Sequence, residues 1–201
     1  SNPTGASYSR QEIEALSEVL IKNKNVHILS DDIYEHITYD NFNFFTIAQV
    51  SKLKNRTLTM NGVSKSYAMT GWRIGYAAGS KEIIKAISKI QSQSTSNPSS
   101  ISQAAAAEAL NGNQDFIVKR ATAFKERRDF VVNSLNNIKG ISCLTPNGAF
   151  YVFPNCKKLL NKKTKLKTDS EFVEKLLEKA NVAVVQGSAF GLDGYFRISY
   201  A

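Results

Sequence analysis

The sequence has few of the residues that mark specialised protein classes. It holds 2 cysteines, 4 prolines, 2 methionines, 1 tryptophan and 2 histidines in 201 residues. Cys143 and Cys156 are too few for a disulfide scaffold and too far apart for a CxxC motif. They lie near apolar, strand-like stretches, so buried free thiols in a reducing compartment are expected. His27 and His36 stand in no metal-ligand spacing with these cysteines, and no metal site is expected. No apolar run approaches eighteen residues, which excludes a membrane-spanning helix. No cationic leader with an apolar core is visible, and the expected location is the cytoplasm. No internal repeat is seen.

What remains has ordinary globular proportions. A hydrophobic share of 42% and a charged share of 21% exclude a disordered chain and a collagen-like fibre. The chain is basic, with 26 Lys+Arg against 17 Asp+Glu and a formal charge of +9. Much of the excess gathers at Lys157, Lys158, Lys162, Lys163, Lys165 and Lys167. That tract contains Leu159, Leu160 and Leu166 but no aromatic residue, so it lacks the stacking groups of a single-strand nucleic-acid site. A solvated lysine-rich loop is expected, with neither nucleic acid nor membrane as partner.

The patterning predicts alternating helices and strands. Ser9-Arg10-Gln11-Glu12 is a capping box, followed by Ile13, Leu16 and Leu20 at helical spacing, so a helix is predicted over 10–22. Val26–Leu29 reads as a buried strand, Thr57–Met60 as a second and Arg73–Ala78 as a third. Ser80 caps a helix to about Gln91, and an Ala-rich helix follows from Ser99 or Ser100 to Asn111. A long helix over Asp115–Asn137 bridges two regions. Ile141–Leu144, Ala149–Phe153, Ala183–Val185 and Phe196–Ser199 are strand candidates, and Asp169 or Ser170 opens a further helix. The first region is α/β and the second α+β. Asn2-Pro3-Thr4-Gly5 at one end is a turn sequence, and Tyr195–Tyr200 at the other reads as a strand, so a piece of a longer chain is expected.

Chemistry-bearing residues fall at strand ends and turns, where α/β proteins place ligand sites. Asp31-Asp32-Ile33-Tyr34 follows the first strand. Gly62-Val63-Ser64-Lys65 follows the second, and Gly71-Trp72-Arg73-Ile74-Gly75 comes soon after. Arg197 stands alone in the last strand. A lone lysine after a strand is usually a surface residue. Lys65 has a neighbourhood low in charge, too polar for a core strand and too apolar for a free loop. Burial and a nearby cation favour the uncharged, nucleophilic amine, the form that makes a Schiff base.

The lysine segment together with Gly71–Gly75 resembles the pyridoxal-phosphate attachment signature of the class I/II aminotransferases. The Asn2–Gly5, Asp31–Tyr34 and Phe196–Ser199 segments match three further motifs of that family, in its order. The nearest likeness is to the bacterial aspartate aminotransferase branch. The resemblance implies a fold-type-I architecture, of which this chain is the C-terminal half. Residues 1–120 would belong to a partial large-domain sheet that binds pyridoxal 5'-phosphate, and residues 121–201 to an incomplete α+β small domain. It implies a homodimer at full length.

The resemblance also implies roles. Lys65 would hold the cofactor aldehyde and shuttle a proton. Asp31 would pair with the pyridine nitrogen. Tyr34 and Asn2 would hydrogen-bond the cofactor's phenolic oxygen. Arg73 and Ser64 would hold the phosphate, with Gly71 and Gly75 permitting close backbone approach to Arg73. Arg197, with Asn2, would bind the substrate carboxylate. Lys65, Asp31 and Tyr34 are thus the expected catalytic set. Gly62 stands where some relatives carry serine, and Asp32 where many carry glutamate. The implied reaction is amino transfer between an amino acid, aspartate favoured, and a 2-oxo acid, 2-oxoglutarate favoured. The alternatives are an aromatic or prephenate-type acceptor, and an inactive truncated remnant.

Overall fold

A computed structural model describes residues 1–201. The chain divides into two compact units, one of Tyr8–Lys119 and one of Ser1–Ser7 with Arg120–Ala201. No helix is long and apolar enough to cross a membrane.

The Tyr8–Lys119 unit opens with α1 (Arg10–Lys22). The Ser9 hydroxyl accepts from the Glu12 amide at 3.3 Å, and the Glu12 carboxylate accepts from the Ser9 amide at 2.7 Å. The Ser9 backbone hydrogen bond holds the Glu12 carboxyl below the ordinary carboxylate range. At the other end, the Arg56 guanidinium satisfies carbonyls that a helix C-terminus leaves open. It donates to Asn23 at 2.8 Å, to Val26 at 2.6 Å and to Leu20. Strand β1 (Ile28–Asp31) then pairs in parallel with β2 (Thr57–Gly62), Ile28 facing Thr57 and Asp31 facing Met60. Parallel neighbours require a crossover. Here it is an irregular segment that buries Ile37, Tyr39, Ile47 and Leu53. Strand β3 (Gly75–Ala78) pairs antiparallel with β2, Gly62 facing Gly75. Helices α2 (Lys81–Ser92) and α3 (Ser100–Asn111) follow. A small core of Val63, Ile74 and Ala106 is covered by Tyr67 and Met69.

The boundary between the units falls inside α4 (Asp115–Asn136). The second unit adds β4 (Tyr151–Val152), α5 (Asp169–Ala180), β5 (Val185–Gln186) and β6 (Phe196–Ser199). Its sheet is antiparallel, in the order β4-β6-β5. Ala149, Val152, Pro154, Cys156 and Phe196 are among its most buried positions. Arg128 is buried within it, donating from Nη1 to the Pro146 carbonyl at 2.9 Å and from Nε to Asp129 at 2.8 Å. Burial pushes the thiols of Cys143 and Cys156 up to about 11, so both are protonated at neutral pH.

Four expectations differ from this structure. The first strand begins two residues later than Val26 and is not buried, since Leu29 is 62% exposed. Continuous apolar runs read as strands covered on both faces, and this one has an open face. Arg73 is not in β3 but precedes it in a left-handed conformation (φ 56°, ψ 43°) after a short 3₁₀ turn over Thr70–Trp72. Ile141–Leu144 forms only an isolated bridge, Ser142 to Asn155. The Asn136 side chain takes the backbone groups of Cys143 instead, accepting from its amide at 2.8 Å and donating to its carbonyl at 3.0 Å. Finally, Ser1–Ser7 packs with the C-terminal unit and not with the residues that follow it. Gly148 donates to the Gly5 carbonyl at 2.9 Å. Gly5 has φ +71°, and a Cβ there would come within 2.5 Å of the Pro146 Cβ.

Candidate active site

The candidate residues fall into two groups, one in each unit. Asp31, Tyr34, Ser64, Lys65 and Arg73 belong to Tyr8–Lys119, and Asn2 and Arg197 to the other unit.

In the first group, the β1–β2 ladder fixes the start of both functional loops. The Asp32 amide donates to the Met60 carbonyl at 2.9 Å, one step past the last paired residues. Asp31 ends β1 exposed, and its Oδ1 accepts from the Ile33 amide at 3.3 Å. Asp32 is buried and accepts from the Ser30 hydroxyl at 2.7 Å. A turn then closes from the Glu35 amide to the Asp32 carbonyl at 2.9 Å, with Tyr34 half-buried inside it. Asp31 also lines a cavity of about 440 Å³ with Asn61, Ile33, Met60, Ile84 and Ile87.

Beyond β2 the chain turns tightly. The Ala68 amide donates to the Lys65 carbonyl at 3.1 Å, and the Met69 amide to the Val63 carbonyl at 3.3 Å. This closure leaves Ser64 and Lys65 half-buried, while Val63 and Ser66 are fully buried. The tightest approach in this loop is at Gly62, where a Cβ would lie 3.0 Å from the Ile74 carbonyl. At Gly71 the space is open, and at Gly75 the nearest atom is at an ordinary 3.4 Å. Arg73 is exposed and donates from Nη1 to the Thr70 carbonyl at 2.9 Å, leaving the rest of its fork for an anion.

In the second group, the Arg197 Nη1 donates to the Asn2 Oδ1 at 2.7 Å. Its guanidinium carbon lies 4.8 Å from the Tyr151 ring centre and 5.0 Å from that of Phe190. Two rings and an amide orient the guanidinium while leaving its charge uncompensated. An arginine so held is set to grip a carboxylate.

Sequence reasoning passed over Glu35 and Asn61. The Asn61 Nδ2 donates to the Glu35 Oε1 at 2.5 Å, and the Asn61 Oδ1 accepts from the Gly62 amide at 2.8 Å. The only local signal is a carboxylate directly after Tyr34 and an amide directly before Gly62.

The whole chain, residues 1–201, matches the sequence model of the family described as aminotransferase class I and II. It is 59% identical to an aspartate aminotransferase of Rhizobium meliloti (strain 1021), covering all of this chain and 50% of that protein. It is 57% identical to a probable aspartate/prephenate aminotransferase of Rickettsia bellii (strain RML369-C), covering 52% of it. The crystal structure of the aspartate aminotransferase from Rhizobium meliloti superposes with a TM-score of 0.95 over 100% of this chain and 51% of that one, at 58% identity. An aromatic aminotransferase from Pyrococcus horikoshii OT3 superposes at 0.91 over 99% of this chain and 52% of its own, at 36% identity. The chain thus spans about half the length of the relatives it matches.

Proposed function

We infer the reaction from one premise: this chain belongs to the class I and II aminotransferases, matched over its full length. The proposal is transamination, aspartate to 2-oxoglutarate, by a polypeptide of the relatives' length that carries these residues. The single observation behind it is Lys65, half-buried in a closed turn, followed eight residues later by an exposed arginine fork.

The donor set fits pyridoxal 5'-phosphate. Lys65 would hold its aldehyde, Arg73 and Ser64 its phosphate, Asp31 its ring nitrogen, and Tyr34 and Asn2 its phenolic oxygen. When bound, the cofactor supplies an electron sink for the charge left at the substrate Cα after proton loss. The chain's own groups do the rest. The Lys65 amine would take the substrate Cα proton and hold it for return, general acid–base work by one group. The Asp31 carboxylate would accept a hydrogen bond from the ring nitrogen and so favour its protonated form. Arg197 binds the α-carboxylate as a bidentate fork, and Asn2 fixes the rotation of that fork.

A prephenate-type acceptor is a second reading, favoured by the name of the Rickettsia bellii relative. The proposed assembly is a homodimer of the full-length protein. The proposed location is the cytoplasm, where the two free cysteines would persist as thiols.

Borohydride reduction of the cofactor-loaded protein followed by peptide mapping tests the central assignment. A pyridoxyl adduct on Lys65 supports it, and an adduct elsewhere overturns it. Lys65→Ala is expected to abolish transamination. Arg197→Ala is expected to raise KM for the amino acid by about two orders of magnitude, the loss of a charge-assisted bidentate contact. Parallel assays with 2-oxoglutarate and prephenate as acceptors separate the two readings.

A further inference from the structure

We propose that Asn61 and Glu35 are positioning residues that lock the Tyr34 turn onto the end of β2, one residue before the loop that carries Lys65. The inference rests on the function proposed above for Tyr34 and Lys65.

Backbone pairing between the two functional loops stops early. The last ladder residues are Asp31 and Met60, and the Asp32 amide makes the final bond across, to the Met60 carbonyl. From there β2 continues alone against β3, with Asn61 facing Tyr76. The Asp32–Glu35 turn begins at that same bond. The Asn61 side chain spans this gap. Its Nδ2 donates to Glu35 at 2.5 Å, while its Oδ1 accepts from the Gly62 amide at 2.8 Å. The second bond fixes the rotamer of the first, since an amide with its oxygen engaged presents its nitrogen in one direction.

Tyr34 therefore lies between two anchors. One is the Asp32 amide at the base of the turn, and the other is the Glu35 carboxylate, one residue after the phenol. The turn closes between them by the Glu35 amide, and the Ile37 amide donates back to the Tyr34 carbonyl at 2.9 Å. On the other side, Gly62 is held against the Ile74 carbonyl and starts the Lys65 turn. One side-chain amide thus joins the two loops from which the phenol and the amine project.

Glu35 also faces other groups. His36 Nε2 lies 3.4 Å from its Oε1. The phenols of Tyr67 and Tyr76 are pushed up by their own burial and then by the Glu35 charge, so both stay protonated in the working range. Tyr67 uses its proton to donate to Gln114 Oε1 at 2.9 Å. Among these contacts, the Asn61 amide is the hydrogen bond that ties the carboxylate to β2.

The experiment uses the full-length protein with Asn61→Ala, Glu35→Ala and Glu35→Gln. Glutamine keeps a carbonyl oxygen that can accept from Asn61. Hydrogen exchange without cofactor reads the lock directly. Both alanine variants are expected to speed exchange of the Glu35 and Ile37 amides by about tenfold or more, through local opening. Glu35→Gln is expected to stay within about twofold of wild type. With cofactor bound, both alanine variants should lower kcat by about tenfold, the cost of a misplaced group, with KM little changed. They should also move the pH midpoint of the cofactor's visible absorbance upward, since a misplaced phenol stabilises the cofactor's unprotonated form less well. Unchanged exchange and an unchanged midpoint in both alanine variants would overturn the proposal. So would a Glu35→Gln variant as impaired as Glu35→Ala. If the wild-type protein does not transaminate, the function reading fails, and the lock is decided by the exchange arm alone.

Discussion

The two units have different relations to solvent. In the unit of Ser1–Ser7 and Arg120–Ala201, the sheet is short but closed over. Phe196 and Val152 are at most 2% exposed, and Tyr151 and Phe150 stay below 9%. In the unit of Tyr8–Lys119, the sheet is longer and, in a chain about half the length of its relatives, open. Every residue of β3 is exposed, α2 has no buried residue, and Leu29 projects from β1. The open unit carries Asp31, Tyr34, Ser64, Lys65 and Arg73. There the Asn61 side chain is hydrogen-bonded to Glu35. In the closed unit, Arg197 is oriented chiefly by aromatic packing.

That contrast can be broken at its strongest point. Phe196→Ala in the closed unit should destabilise by about 3–5 kcal/mol, the cost of a large buried cavity. Leu29→Ala in the 201-residue chain should cost well under about 1 kcal/mol, because most of that side chain is already in water there. Urea denaturation of the two variants reads the difference. Equal losses would mean that Leu29 is covered in solution.

Gly5→Ala tests whether the first segment belongs to the closed unit. A left-handed backbone costs an L-residue about 1–2 kcal/mol, before the clash with Pro146 is counted. Exchange at the Gly148 amide, which bonds Gly5, should rise. Exchange in α1 should not.

The smallest effect is electrostatic. The Lys125 hydrogen bond, then the Arg128 contacts, hold the Asp129 carboxyl below its ordinary value of 3.8. A carboxyl lowered on folding contributes stability that is present above its unfolded value and lost as pH falls through the folded one. Asp129 and Lys125 are both partly exposed, so the contribution is about 1 kcal/mol or less. Asp129→Asn should be slightly less stable than wild type at pH 7 and equal to it near pH 2. A gap that persists in acid would assign the effect to packing.

Helices were legible where their caps are local. The Ser9 capping box marks α1 at Arg10, and Ser80 and Thr168 cap α2 and α5 through side-chain bonds to the third residue beyond. Strand limits were less legible, because pairing depends on residues far along the chain. Nothing near Cys143 says that Asn136 will occupy its backbone, and nothing near Arg73 says that it will turn left-handed. Site residues with unusual local company, Lys65 and Arg197, stood out from the sequence. Glu35 and Asn61 did not, because their importance is a contact across 26 residues of sequence. Exposure was the least legible property, since an apolar run is the same string of letters whether or not something covers it.

The bond from Arg197 to Asn2 joins residues 195 positions apart. A ribosome adding about 5–20 residues per second leaves an interval of roughly 10–40 s between making one partner and making the other. During that time Tyr8–Lys119 has emerged and can organise, while the β4-β6-β5 sheet of the unit that holds Ser1–Ser7 is not yet made. Asn2 can meet Arg197 only once β6 has been made.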